Sequence, residues 1–67
     1  MYTFGKNLEN KKFICKNGEI VIIMAVGVLN TWINIYYPKS DSEEFTQVEN
    51  GYLDIAITAG RLQPYRK

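Results

Sequence analysis

The sequence has no histidine and a single cysteine, Cys15, and these two shortages remove much of the chemistry a small protein can carry. Without histidine, the commonest zinc sites and the Ser-His and Cys-His nucleophile pairs cannot be assembled. A lone cysteine cannot close an internal disulfide, so the expected compartment is a reducing one, the cytoplasm. There is no Gly-rich phosphate loop, no long repeat and no low-complexity tract. The main apolar run, Ile20 to Leu29, is about half the roughly 20 residues a membrane span needs and follows several charges, which argues against a transmembrane helix or a signal peptide. Asp41, Glu43, Glu44 and Glu49 fall in or beside a polar loop with no apolar shell to shift a pKa, so they read as solvated charge. The expectation is a protein that is not an enzyme, with no catalytic residue, metal or cofactor.

With 67 residues the chain forms one domain, 1–67, and folding hides only about 60% of the surface the unfolded chain exposes. That leaves no room for a core plus a deep substrate cleft. The net charge is +1, but it is unevenly spread. Residues 1–16 and 61–67 carry Lys6, Lys11, Lys12, Lys16, Arg61, Arg66 and Lys67 against Glu9, whereas residues 17–60 carry six carboxylates against Lys39. If the chain ends meet, the molecule has a basic and an acidic pole; otherwise the charges are an ordinary soluble surface.

Residues 1–10 lack a clear period and read as irregular, with Tyr2, Phe4 and Leu8 able to pack. From Phe13 the pattern turns to β. Asn17-Gly18 between apolar segments is a strong hairpin signal, and a two-residue turn there pairs Cys15 with Ile20, Ile14 with Val21 and Phe13 with Ile22. A second turn at Asn30-Thr31 pairs Val28 with Ile33 and Val26 with Ile35. Both registers put Ile20, Ile22, Met24, Val26 and Val28 on the core face with Phe13, Cys15, Ile33 and Ile35.

Pro38 ends the third strand. Ser40 and Glu43 have capping-box spacing for a helical turn, but a strand through Phe45 to Val48 is preferred. Asn50-Gly51 then reads as another hairpin turn, followed by an alternating strand Tyr52 to Thr58 with Leu53, Ile55 and Ile57 inward. Ala59-Gly60 breaks that strand, and residues 61–65 form a short edge segment. The sum is an all-β fold, a small antiparallel barrel of five to six strands over 11–65. A three-stranded meander, a polar connection, a second hairpin and a short last strand with Gly60-Arg61-Leu62-Gln63-Pro64 resemble the architecture of SH3-like barrels. The Ala-Leu-Tyr-Asp-Tyr signature of peptide-binding SH3 domains is absent, so a preference for Pro-rich ligands does not carry over.

In this register the face opposite the core presents Ile14, Val21, Ile23, Trp32 and Tyr36, with Ala25 and Leu29 nearby and Asn34, Lys12 and Lys16 at its border. Aliphatic and aromatic side chains with a polar border suit a protein partner or a second copy in a homodimer. Alternatively, Tyr2, Phe4 and Leu8, or Leu62 and Tyr65, fold over it. The rival function is nucleic-acid binding, with Trp32, Tyr36 and Tyr52 stacking bases and Lys12, Lys16, Arg61 and Arg66 holding phosphates; the acidic stretch 41–54 opposes it. Ile, Asn, Lys and Tyr make up 25 of 67 residues, the bias of an AT-rich genome. In a small non-catalytic chain that is compatible with a phage or mobile-element product that binds and modulates a host protein.

Overall fold

The computed structural model describes residues 3–65. A 3-10 turn, Lys6–Leu8, precedes strands β1 (Lys12–Cys15), β2 (Ile20–Val26), β3 (Asn30–Tyr37) and β4 (Ser42–Glu49), helix α1 (Asn50–Thr58) and strand β5 (Leu62–Pro64). The strands form one antiparallel sheet in the order β4-β3-β2-β1-β5. The fold is mostly β, as expected, but the sheet is open, with β4 and β5 at its margins. The helix packs on one face.

The first hairpin sets the phase of the sheet. Cys15 N–H donates to Glu19 O at 2.8 Å and Gly18 N–H donates to Cys15 O at 3.0 Å, so the loop holds Lys16, Asn17 and Gly18 rather than two residues. Gly18 has φ +94°, the left-handed residue that follows a type I turn in three-residue hairpins. Phe13 consequently faces Val21 and Ile14 faces Ile20. A one-residue slip moves every side chain of a strand to the other face, so Val21 and Ile23 go inward while Ile20 and Ile22 go outward, opposite to the expected assignment.

A bulge at Met24 then shifts the β2–β3 register: Ile23 pairs with Ile33, whereas Ala25 pairs with Trp32 and Val26 with Thr31. The extra residue returns Val26 to the inner face, where it was expected. The turn itself lies at Val28 and Leu29, not at Asn30-Thr31, with Gly27 N–H donating to Asn30 O at 3.0 Å. Val28 is 94% exposed and no part of the core.

The segment Tyr52 to Thr58, read as the strand after a hairpin turn at Asn50-Gly51, is helical. Leu53, Ile55 and Ile57 alternate, but Leu53, Ala56 and Ile57 also have i, i+3, i+4 spacing, and over so short a window the two periods compete. The helix buries Leu53 and Ala56 and leaves Ile55 and Tyr52 exposed. It stops in a Schellman motif: Gly60, at φ +83°, donates to Ile57 O, and Arg61 N–H donates to Ala56 O. Ala59-Gly60 is therefore a helix end, after which β5 pairs with β1.

The core lies between the sheet's inner face, α1 and the N-terminal segment. It comprises Leu8, Phe13, Val21, Ile23, Val26, Ile33, Leu53, Ala56 and Leu62, with Phe4, Cys15, Ile35, Val48 and Ile57 packed against it. Leu8 and Phe4 do pack, as the sequence allowed; Tyr2 lies outside the described residues. The Glu9 carboxylate accepts the Val26 N–H at 2.9 Å, where β2 runs on past the end of β1.

Asn50 ties the start of α1 to the β2–β3 turn. Its Nδ2 donates to Gly27 O and Val28 O at 2.9 and 3.1 Å, its backbone N–H donates to Leu29 O at 2.9 Å, and its Oδ1 accepts the Thr31 hydroxyl at 2.6 Å. Thr31 is completely buried, so the Asn50 acceptor satisfies a hydroxyl that would otherwise be costly.

Two substitutions test these assignments. Gly51 lies within α1 without a positive φ, and an added Cβ meets nothing within 4 Å. Gly51→Ala is expected to raise stability by about 0.5–1 kcal/mol, because glycine in a helix costs about that much relative to alanine; a hairpin turn needing positive φ would instead be weakened. Chemical denaturation reads the difference. By the same method Ile23→Ala, at a position with no exposure, is expected to cost roughly 2–5 kcal/mol and Ile22→Ala markedly less.

Candidate protein-interaction face

The outer face of the sheet is built in rows of cross-strand neighbours. One row reads Gln63, Ile14, Ile20, Tyr36 and Glu43; a second reads Lys12, Ile22, Asn34 and Phe45; a third reads Ala25, Trp32 and Gln47. Isoleucines occupy the centre, flanked by aromatics. Trp32 is 49% exposed and Phe45 65% exposed. The N-terminal turn, α1 and Leu62 all contribute to the core on the inner side, so among the described residues none of these elements covers the outer face.

Of the five residues expected to form a partner-binding patch, Ile14, Trp32 and Tyr36 do share this face. Val21 and Ile23 do not; they are 4% and 0% exposed, inside the core. Their places are taken by Ile20 and Ile22, because the three-residue turn at Gly18 slips the register by one. Phe45 also belongs to the face, because Thr46 and Val48 pair with the inward Ile33 and Thr31 and take the inner side. The exposed turn tip Val28-Leu29 lies at the end of β2, beside the third row.

The residues proposed for nucleic acid are divided. Lys12, Trp32 and Tyr36 lie on the outer face, whereas Lys16, Tyr52 and Arg61 line a groove on the other side; Arg66 lies outside the described residues. This groove, about 450 Å3, runs between α1 and the inner face of the sheet and is floored by Val21, Ile33 and Leu53. Among the described residues, no single platform gathers all the aromatics and the cations.

Acidic groups hold two of the tyrosines. Tyr36 donates its hydroxyl to Asp41 Oδ1, and Tyr37, on the inner face, donates to Glu44 Oε1, both at 2.8 Å. Asp41 sits at the β3–β4 turn with φ +52°. Each phenol is held above its ordinary pKa, first by its hydrogen bond to the carboxylate and then by desolvation and neighbouring negative charge. The Cys15 thiol is raised too, first by burial and then by the Glu19 charge, which gives it the character of a packing residue rather than a nucleophile. No three histidine, cysteine, aspartate or glutamate side chains converge as a metal site among the described residues, and none of their helices is long and apolar enough to cross a membrane.

No protein-family model matches the chain, and searches of curated proteins and solved structures find no match either.

Three acids with raised pKa values fix the sign of one pH effect. The folded state holds these protons more tightly than the unfolded chain, so their stabilising contribution is complete below the unfolded pKa values and is lost as pH rises through the folded ones. Urea midpoints are expected to fall as pH enters the alkaline range where free thiols and phenols ionise. Cys15→Ser should flatten the thiol part of that fall. A midpoint that rises with alkaline pH would contradict the assignment.

Proposed function

We propose that this protein is a small non-catalytic binding module that engages another protein through the outer face of its sheet. The observation that carries the reading is the combination of Ile14, Ile20 and Ile22 with the exposed rings of Trp32 and Phe45 on a face that α1 does not cover. A half-solvated antiparallel strand normally alternates apolar and polar residues, yet β2 is apolar on both sides. Large aromatics beside aliphatic side chains, bordered by Lys12, Glu43 and Gln47 and with Asn34 among them, between Ile22 and Phe45, have the composition of a binding hot spot with a polar rim.

Nucleic acid is the less favoured ligand, since phosphate binding draws most of its affinity from clustered cations. Glu43 lies next to Tyr36 across the strands and Asp41 accepts its hydroxyl hydrogen bond, which places negative charge beside one of the stacking candidates. The AT-rich composition makes bacterial host proteins the first partners to try, as for a phage or mobile-element product.

The test is affinity capture by the wild type, by a Trp32→Ala/Phe45→Ala double variant, and by Tyr52→Ala as a control on the opposite side. A partner retained in stoichiometric amount by the wild type and the control is expected to be reduced at least tenfold by the double variant, which should keep the wild-type circular dichroism. Equal retention by all three would sink the assignment to this face.

A further inference from the structure

We propose that the groove between α1 and the inner face of the sheet is a binding site for a small anionic amphiphile, a medium-chain fatty acid. The site lies on the opposite side of the sheet from the interaction face and does not rest on that reading. Its volume, about 450 Å3, falls within the roughly 300–1,000 Å3 of small-molecule sites and is too narrow for a folded partner. The lining is divided by chemistry. Val21, Ile33, Leu53, Ala56 and Leu62 are its buried residues; all are aliphatic, so a polar ligand group placed among them would lose its hydration with nothing in return. The exposed residues of the lining are Lys16, Asn17, Tyr52 and Arg61. Each carries a hydrogen-bond donor, and two are cationic. A ligand that matches both parts has an apolar tail and an anionic head.

The fold brings the two cations together. Cys15 pairs with Leu62, and the same register continued by one residue sets Lys16 opposite Arg61. Lys16 belongs to the first turn and Arg61 lies between the helix end and β5, so neither is held to the in-and-out alternation of a strand. Like charges opposite each other across strands repel; a carboxylate lodged between them replaces that repulsion with charge-assisted hydrogen bonds. Asn17 adds a neutral donor, because its Oδ1 accepts the Glu19 N–H at 3.4 Å and leaves the amide hydrogens for a ligand. The one acid in the lining, Glu19, stands on the far side of Cys15, whose N–H donates to Glu19 O. That is two strand spacings from Arg61, about 10 Å, and next to Tyr37, whose phenol feels its charge. A head group between Lys16 and Arg61 is thus kept from Glu19, while the tail crosses the strands over Val21 and Ile33.

Isothermal titration calorimetry with octanoate is expected to show one saturable site per chain, with butanoate weaker by roughly fourfold for each buried methylene it lacks. Octanol, which has the same tail and no charge, should bind more weakly than octanoate. The Lys16→Gln/Arg61→Gln variant changes only exposed residues and should keep the wild-type circular dichroism; it is expected to lose about tenfold in affinity for octanoate and none for octanol. Saturating octanoate should also slow the alkylation of Cys15, which lines the groove, several-fold. Absence of saturable binding would overturn the ligand. Octanol binding as tightly as octanoate, or a double variant unimpaired for octanoate, would overturn the anionic head. Undiminished Cys15 alkylation at saturation would overturn the groove. Trp32→Ala/Phe45→Ala is expected to bind octanoate as the wild type does, so that this site and the interaction face succeed or fail separately.

Discussion

The fold depends on one side chain placed where the sheet ends and the helix begins. Asn50 uses both amide hydrogens and its carbonyl oxygen, and its backbone N–H also binds Leu29 O. These bonds join the first residue of α1 to a stretch distant in sequence, the exposed β2–β3 turn and the buried Thr31 hydroxyl just after it. Leu53 and Ala56 follow three and six residues later, on the helix face that meets the core. The clamp secures the start of α1 where Glu49, the last residue of β4, provides no side-chain cap. An asparagine supplies two donors and an acceptor in one planar group, which no aliphatic residue in that place could reproduce.

The second constraint is the phase of β2. Gly18 in the left-handed region adds one residue to the first turn, and Met24 adds one to the strand. Each insertion reverses the inward set. Together they place Val21, Ile23 and Val26 inside, a set with neither strict period two nor a single face in an undistorted strand. An apolar run such as Ile20 to Val26 tolerates this because every position offers a hydrophobic side chain whichever way it points. The same property leaves isoleucines facing outward.

Much of the sheet was legible in the residues. Four strands, the turn near Asn17-Gly18, the end of β3 at Pro38 and the short last strand all follow from local chemistry, and the outer-face membership of Ile14, Trp32 and Tyr36 follows from their parity in β1 and β3. What was illegible has three physical sources. Asn-Gly accepts both a two-residue turn and a three-residue one with a left-handed glycine, and that one residue decides where Val21 and Ile23 go. Asn50-Gly51 has the same letters as a turn, but Asn50 is spent on long-range hydrogen bonds that no local pattern announces. Leu53 to Ile57 satisfies both periods at once, so the contacts of Leu53 and Ala56 with the sheet, rather than propensity, make the segment helical. Closing a barrel required a strand there; a helix covers one face and leaves the sheet open.

Covering one face has a consequence for the other. A single helix of nine residues and a short N-terminal turn can bury only one side of a five-stranded sheet, so the remaining side must either be polar or meet something else. At its margins it is polar: Lys12, Glu43, Gln47 and Gln63 are the residues expected where strands face water. Ile20, Ile22, Trp32 and Phe45 depart from that pattern in one contiguous area. Nothing in the core calls for them, since Leu8, Leu53 and Ala56 pack against it from the opposite side. Threonine or lysine at these places would satisfy the same strands while exposing less apolar surface to aggregation. Their presence is thus a feature of the surface rather than of the fold, and the surface is where the protein's function is to be sought.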